Sequence, residues 1–205
     1  GSVPTAAIKK LGEEYERAKI KIDQHFQLRD RQPTAILYSA YTEAMFTAET
    51  KYFLMYDELL DQNDSGPKYL TGTSAKQLII DSWHHCSRQY DLTVYAICVM
   101  SNHVHVRLRA NGEFASWPLI PLMEKHKRFT GRQLNQLHNC KGRRVWAEDT
   151  FDRDVRPGRF NQVLWYLINN PKKAGITHDP LAFPGTWWDP RLNQEFIDPY
   201  RGVAV

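Results

Sequence analysis

Cysteine is scarce in this chain of 205 residues. Only Cys86, Cys98 and Cys140 occur, widely spaced and odd in number, which excludes a disulfide scaffold and points to a reducing, cytoplasmic setting. No apolar run approaches the roughly 18 residues that a membrane helix needs, so a membrane is not among the expected partners. Internal repeats and low-complexity segments are also missing, which sets aside solenoids, collagen-like chains and disordered tails. The first residues carry no apolar signal-peptide core, and Gly1-Ser2 reads as an expression scar without bearing on the fold. What is present is ordinary for a globular protein: 42% hydrophobic and 24% charged residues. That length buries roughly 70% of the unfolded surface without a covalent or metal staple.

Acidic residues are nearly absent from one stretch. The net charge is only +4, and Gly1 to Leu60 is balanced at eight Lys or Arg against nine Asp or Glu. From Leu122 to Arg144, by contrast, Glu124 alone opposes seven basic residues: Lys125, Lys127, Arg128, Arg132, Lys141, Arg143 and Arg144. Phe129 and Trp146 lie close by, and cations interleaved with rings suit a nucleic-acid surface. A solvated helix face accounts for the charge run equally well.

Apolar spacing organises the rest. Ile8, Leu11, Tyr15, Ala18 and Ile22 alternate steps of three and four, and so do Tyr41, Met45, Ala48, Tyr52, Met55 and Leu59, which predicts two helices packed as an antiparallel hairpin. Residues 1–62 form this appendage and 63–205 the main domain, with Asn63-Asp64-Ser65-Gly66-Pro67 as the turn between them. Ala75 to Tyr90 reads as a helix burying Leu78, Ile79, Trp83 and Cys86, and Leu92 to Met100 as a buried strand. After a turn at Ser101-Asn102, His103 to Leu108 alternates polar and apolar residues, which puts His103, His105 and Arg107 on one face and Val104, Val106 and Leu108 on the other. Leu119 to Leu137 is a basic helix, and Asn161 to Asn170 is a final helix limited by Pro171. His126, His138 and His178 lack partner spacing and read as surface or loop residues. The expected class is α+β, a small antiparallel sheet flanked by helices.

Two histidines at alternate strand positions stand about 7 Å apart at their α-carbons, close enough to share a cation but short of a full ligand set. Tyr166 and Asn170 are four apart and project from one helix face. They offer a nucleophile and an amide oxygen; packing for the tyrosine and end-capping for the asparagine are the competing readings.

Taken in order, several motifs are similar to one family. Val99-Met100-Ser101-Asn102-His103-Val104-His105-Val106 resembles the Met-Pro/Ser-Asn-His-Val-His strand of the tyrosine HUH transposases, which act on single-stranded DNA. Val145-Trp146, Phe151-Asp152-Arg153 and the run from Tyr166 to Gly175 resemble that family's later motifs, in the same order. Gly66-Pro67-Lys68-Tyr69-Leu70 and Trp187-Trp188 resemble its REP-associated branch, so the likeness spans residues 59 to 188. It implies an HUH nuclease fold, ferredoxin-like or RRM-like, with the histidines on a central strand. It further implies Tyr166 as catalytic nucleophile, Mg²⁺ or Mn²⁺ held by His103, His105 and Asn170, and hairpin-bearing single-stranded DNA as partner of a monomer or homodimer in the bacterial nucleoid. Relatives carry a strand ahead of the helical hairpin, whereas this chain passes from Gly1-Ser2-Val3-Pro4 almost directly into helix.

The resulting expectation is a metal-dependent endonuclease and strand transferase working through a 5′-phosphotyrosine. DNA contacts are expected from Arg107, Lys125, Lys127, Arg128, Arg132, Arg143, Arg144, Lys172 and Lys173, with the basic stretch tracking phosphates beside the site and Phe129 and Trp146 stacking bases; Phe129 reads equally as core, and Arg107 equally as a solvated strand charge. The alternatives are a DNA-binding protein that keeps the scaffold without cutting, and a nuclease that uses water.

Overall fold

The computed structural model describes residues 5–27, 33–62, 66–112, 119–148 and 150–199. The chain divides into two compact units between Gly66 and Pro67. The first holds α1 (Thr5–Phe26) and α2 (Ala35–Asp61). They lie antiparallel, because the Tyr15 and Tyr52 rings stack with centroids 4.7 Å apart while the Tyr41 hydroxyl donates to Asp23 at 2.9 Å near the other end. Thr34 caps α2 by accepting from the Leu37 N–H. The turn residues 63–65 lie outside the described residues.

The second unit is an α+β fold. Its elements are α3 (Thr73–Gln89), β1 (Leu92–Val99), β2 (Val104–Ala110), α4 (Leu119–Leu137), α5 (Phe160–Lys173) and β3 (Thr186–Trp188). The strands form one antiparallel sheet in the order β2-β1-β3. β3 has only three residues, too few for a period-two signal, and the sequence reading has no strand there. The histidine strand β2 is at an edge among the described strands, not central as the resemblance implies, since β1 takes the middle. The reason is compositional: β1 is apolar on both faces and closes itself off from water, while β2 alternates and tolerates an edge.

A bulge in β1 sets which side chains face which way. Val94 pairs with Leu108 and Ala96 with Arg107, so Tyr95 and Ala96 together oppose one residue of β2. Val94, Ile97 and Val99 therefore pack on one face with Val104, Val106 and Leu108, under α3 and α4. Ala96, Cys98 and Met100 pack on the other with Leu164, Leu167 and Ile168 of α5. At the end of the sheet Val99 N–H donates to the Gly185 carbonyl at 2.8 Å, and a Cβ at Gly185 would drive into the Val99 carbonyl and the Phe183 ring.

Two expectations are corrected. α5 does not stop at Pro171 but continues to Lys173, because Asn170 and Pro171 are both buried and that packing outweighs the local preference before proline. His126 is not a surface residue. It belongs to the buried stripe Leu122, His126, Thr130 and Leu134 of α4, and its ring stacks on Trp83 at 4.4 Å between centroids. Burial pulls its pKa down to about 4, so it is neutral at pH 7, and its Nε2 has no hydrogen-bond partner among the described residues.

Candidate metal and nucleophile site

The site forms where β2 meets α5, on the face of the sheet away from α3 and α4. A tight turn, closed by Met100 N–H donating to the His103 carbonyl at 3.0 Å, delivers His103 to the start of β2. Alternation then puts His105 beside it, with the rings edge to face and centroids 4.8 Å apart. His103 is 9% exposed and Asn170 is fully buried. On α5 the apolar stripe Leu164, Leu167 and Ile168 seats the helix on β1, which turns the flank carrying Tyr166, Asn170 and Lys173 toward the histidines.

The hydrogen bonds decide what this cluster can hold. Asn102 Oδ1 lies 2.7 Å from His103 Nδ1, and a carbonyl oxygen only accepts, so Nδ1 donates and Nε2 is the nitrogen turned toward His105. Asn170 Nδ2 lies 2.9 Å from His105 Nε2, and an amide nitrogen only donates, so that ring nitrogen accepts from the asparagine. Those two Nε2 atoms are 3.0 Å apart. Ring nitrogens this close can share a proton, and they could share a metal ion once the Asn170 N–H is turned away from His105. A half-turn of the Asn170 amide would add its oxygen to the donor set.

Tyr166 stands next to this pair, its ring centroid 6.3 Å from that of His105 and almost perpendicular to it. Lys173 Nζ sits 5.5 Å from the Tyr166 ring centroid, which puts a positive charge beside the phenol. The four site residues expected from sequence, His103, His105, Tyr166 and Asn170, thus come together. Asn102, which orients His103, enters the sequence reading as a turn and motif residue without a role at the site. Its position next to the His-x-His pair was the available signal, since metal-binding histidines usually give their second nitrogen to a carbonyl.

The expected DNA-binding residues separate into two groups. Arg107 shares the histidine face, with its guanidinium carbon 5.7 Å from the Tyr95 ring centroid and 5.6 Å from that of Phe160. Desolvation holds its pKa below the ordinary arginine range. Lys172 and Lys173 are exposed at the end of α5. The α4 residues are elsewhere: α4 covers the opposite face of the sheet, so the basic stretch is not beside the histidines as its sequence suggested. The reason is the crossing of the chain from one sheet face to the other between α4 and α5, which linear order does not reveal.

Within that basic stretch, Lys125, Arg128 and Arg132 are exposed and share about 60° of the helix circumference, with Phe129 alongside at 52% exposure. Lys125 also reaches the Tyr90 ring, 5.7 Å from its centroid. The others have local duties. Lys127 donates to the Ala147 and Glu148 carbonyls, Arg144 pairs with Glu148 at 3.4 Å, and Arg143 bonds Asn135 while lying 3.9 Å from the Tyr69 centroid. Trp146 does not stack outward. It packs against the core and donates to Thr130 Oγ1 at 2.9 Å, so Phe129 rather than Trp146 is the ring open to solvent.

No helix among the described residues is long and apolar enough to cross a membrane. No family model, curated protein or solved structure matches the chain.

Proposed function

We propose that this protein is a metal-dependent single-stranded DNA endonuclease and strand transferase of the tyrosine HUH type, as its motifs suggest. The observation that carries the reading is the pair of Nε2 atoms 3.0 Å apart, with a tyrosine ring edge-on to the His105 ring. His103, His105 and the Asn170 amide would hold the ion, and two nitrogen ligands fit Mn²⁺ better than Mg²⁺. A bound divalent ion would offset the negative charge on the phosphoryl oxygens.

The chain's own groups do the rest. The Tyr166 oxygen attacks phosphorus, forming the phosphotyrosine bond as the bond to the 3′ oxygen breaks. The phenol gives up one proton and the departing 3′ oxygen gains one, so charge balances and the ester energy is kept for rejoining. Lys173, 5.5 Å from the ring centroid, puts positive charge near the phenol that becomes negative. Lys172 and Lys173 hold phosphates at the site, and the Lys125, Arg128 and Arg132 stripe holds DNA that has passed round the sheet. Exposed Phe129 and Tyr90 are positioned to stack bases there.

The test is to incubate wild type and Tyr166→Phe with end-labelled single-stranded hairpins and Mn²⁺, and to look for a denaturant-resistant adduct. We expect it with wild type alone, mapped by mass spectrometry to Tyr166. Cleavage without an adduct would favour water as nucleophile, and binding without cleavage would favour a non-catalytic DNA-binding protein.

A further inference from the structure

Arg107 is a half-buried cation without an ion-pair partner among the described residues. Its guanidinium lies over two rings, Tyr95 and Phe160, which themselves meet edge to face at 5.0 Å. One Nη1 hydrogen bond goes to the Leu108 carbonyl at 3.0 Å, and Nε is buried with no partner. After desolvation, the charges that reach it are those of Tyr95 and, more weakly, Asp154, with Arg109 opposing them. Taking a cation out of water without an acid beside it disfavours the folded state, and aromatic faces offset only part of the loss. Rings that pin the planar group also fix where its free N–H edge points, so the geometry suits a doubly bonded oxyanion. Arg107 is on the histidine face of β2, two residues beyond His105, about 7 Å along the strand.

We infer that Arg107, pinned on Tyr95 and Phe160, is the binding site for a phosphodiester of the DNA strand next to the one that is cut. The inference rests on the reading of the histidine–tyrosine site as a phosphodiester-cleaving centre. It assigns the arginine a positioning role: holding the neighbouring phosphate sets the scissile one against Tyr166. The Leu108 carbonyl and the two rings build the site before DNA arrives, so little ordering is left for the binding step.

Arg107→Met and Arg107→Lys separate this role from a structural one. With a fluorescein-labelled single-stranded oligonucleotide carrying one hairpin, the slope of log affinity against log salt should fall by about 0.7 in Arg107→Met, the share of one phosphate contact on a single strand. Affinity at moderate salt should drop about tenfold, as expected for loss of a charged hydrogen bond. Arg107→Lys should keep the slope while losing part of the affinity. The melting temperature of Arg107→Met should equal or exceed that of wild type, and added inorganic phosphate should stabilise wild type but not this variant. A folded Arg107→Met with unchanged salt slope, or a variant that fails to fold while Arg107→Lys is normal in DNA binding and phosphate response, would overturn the inference and make Arg107 a structural cation. Loss of DNA binding by wild type itself would instead sink the nuclease reading, and the phosphate response would still decide whether Arg107 is an anion site.

Discussion

At the scale of single residues, the site is organised by two amides. Asn102 accepts from His103 Nδ1, and Asn170 points an N–H at His105 Nε2, which holds the two Nε2 atoms 3.0 Å apart. An outer partner such as Asn102, on the second ring nitrogen, is worth about 10–100-fold in metal affinity. Asn102→Ala should therefore raise the Mn²⁺ concentration needed for half-maximal adduct formation by about tenfold, with the melting temperature nearly unchanged. Titrating Mn²⁺ into both proteins checks this; equal midpoints would show that His103 needs no orienting partner. Tyr166→Phe should abolish the adduct with DNA affinity retained, since the ring still packs and only the oxygen is removed.

At the scale of elements, β2 and α5 make the site and α4 stands across the sheet from it. Charge on α4 should then affect binding without touching chemistry. Replacing Lys125, Arg128 and Arg132 together by alanine should lower the single-strand salt slope by about 2, at about 0.7 per lost contact. The adduct rate at saturating DNA should stay within about twofold of wild type. A fall in that rate would mean that α4 reaches the reacting phosphate after all. The β1 bulge matters here as well: with two residues opposite Arg107, Tyr95 and Ala96 both turn toward α5, and Tyr95 supplies one wall for the arginine.

At the scale of the whole molecule, stability should depend on acid through His126. Its folded pKa is depressed to about 4, while the unfolded chain takes up the proton near the ordinary 6.5. Between those values the unfolded state binds more protons, so stability is complete above about pH 6.5 and declines as pH falls toward 4. The loss is of order 3 kcal/mol. His84, also depressed by burial, adds in the same direction. His126→Phe keeps an aromatic partner for Trp83 and should flatten the curve; urea midpoints at pH 7 and pH 5 measure it. An equal fall in both proteins would place the acid sensitivity elsewhere.

Local periodicity determined most of what a chain can write along its own length. It placed both helices of the hairpin, the α3 to β2 succession and α4 within a few residues, because burying one face imposes a period of 3.6 or 2 wherever it occurs. It also placed His103, His105 and Arg107 on a common face. It could not place β3, whose three residues carry no period, or carry α5 through Pro171, which depends on burial of Asn170 and Pro171. The face taken by each helix was decided by tertiary structure alone, since α4 and α5 have similar amphipathic patterns and nothing in either says which side of β1 it will cover. That choice brought Tyr166, Asn170 and Lys173 to the histidines, sent the basic stripe to the far side, and left Arg107 between two rings far apart in sequence. Contacts across a sheet depend on register and crossing, and those are properties of the packed chain.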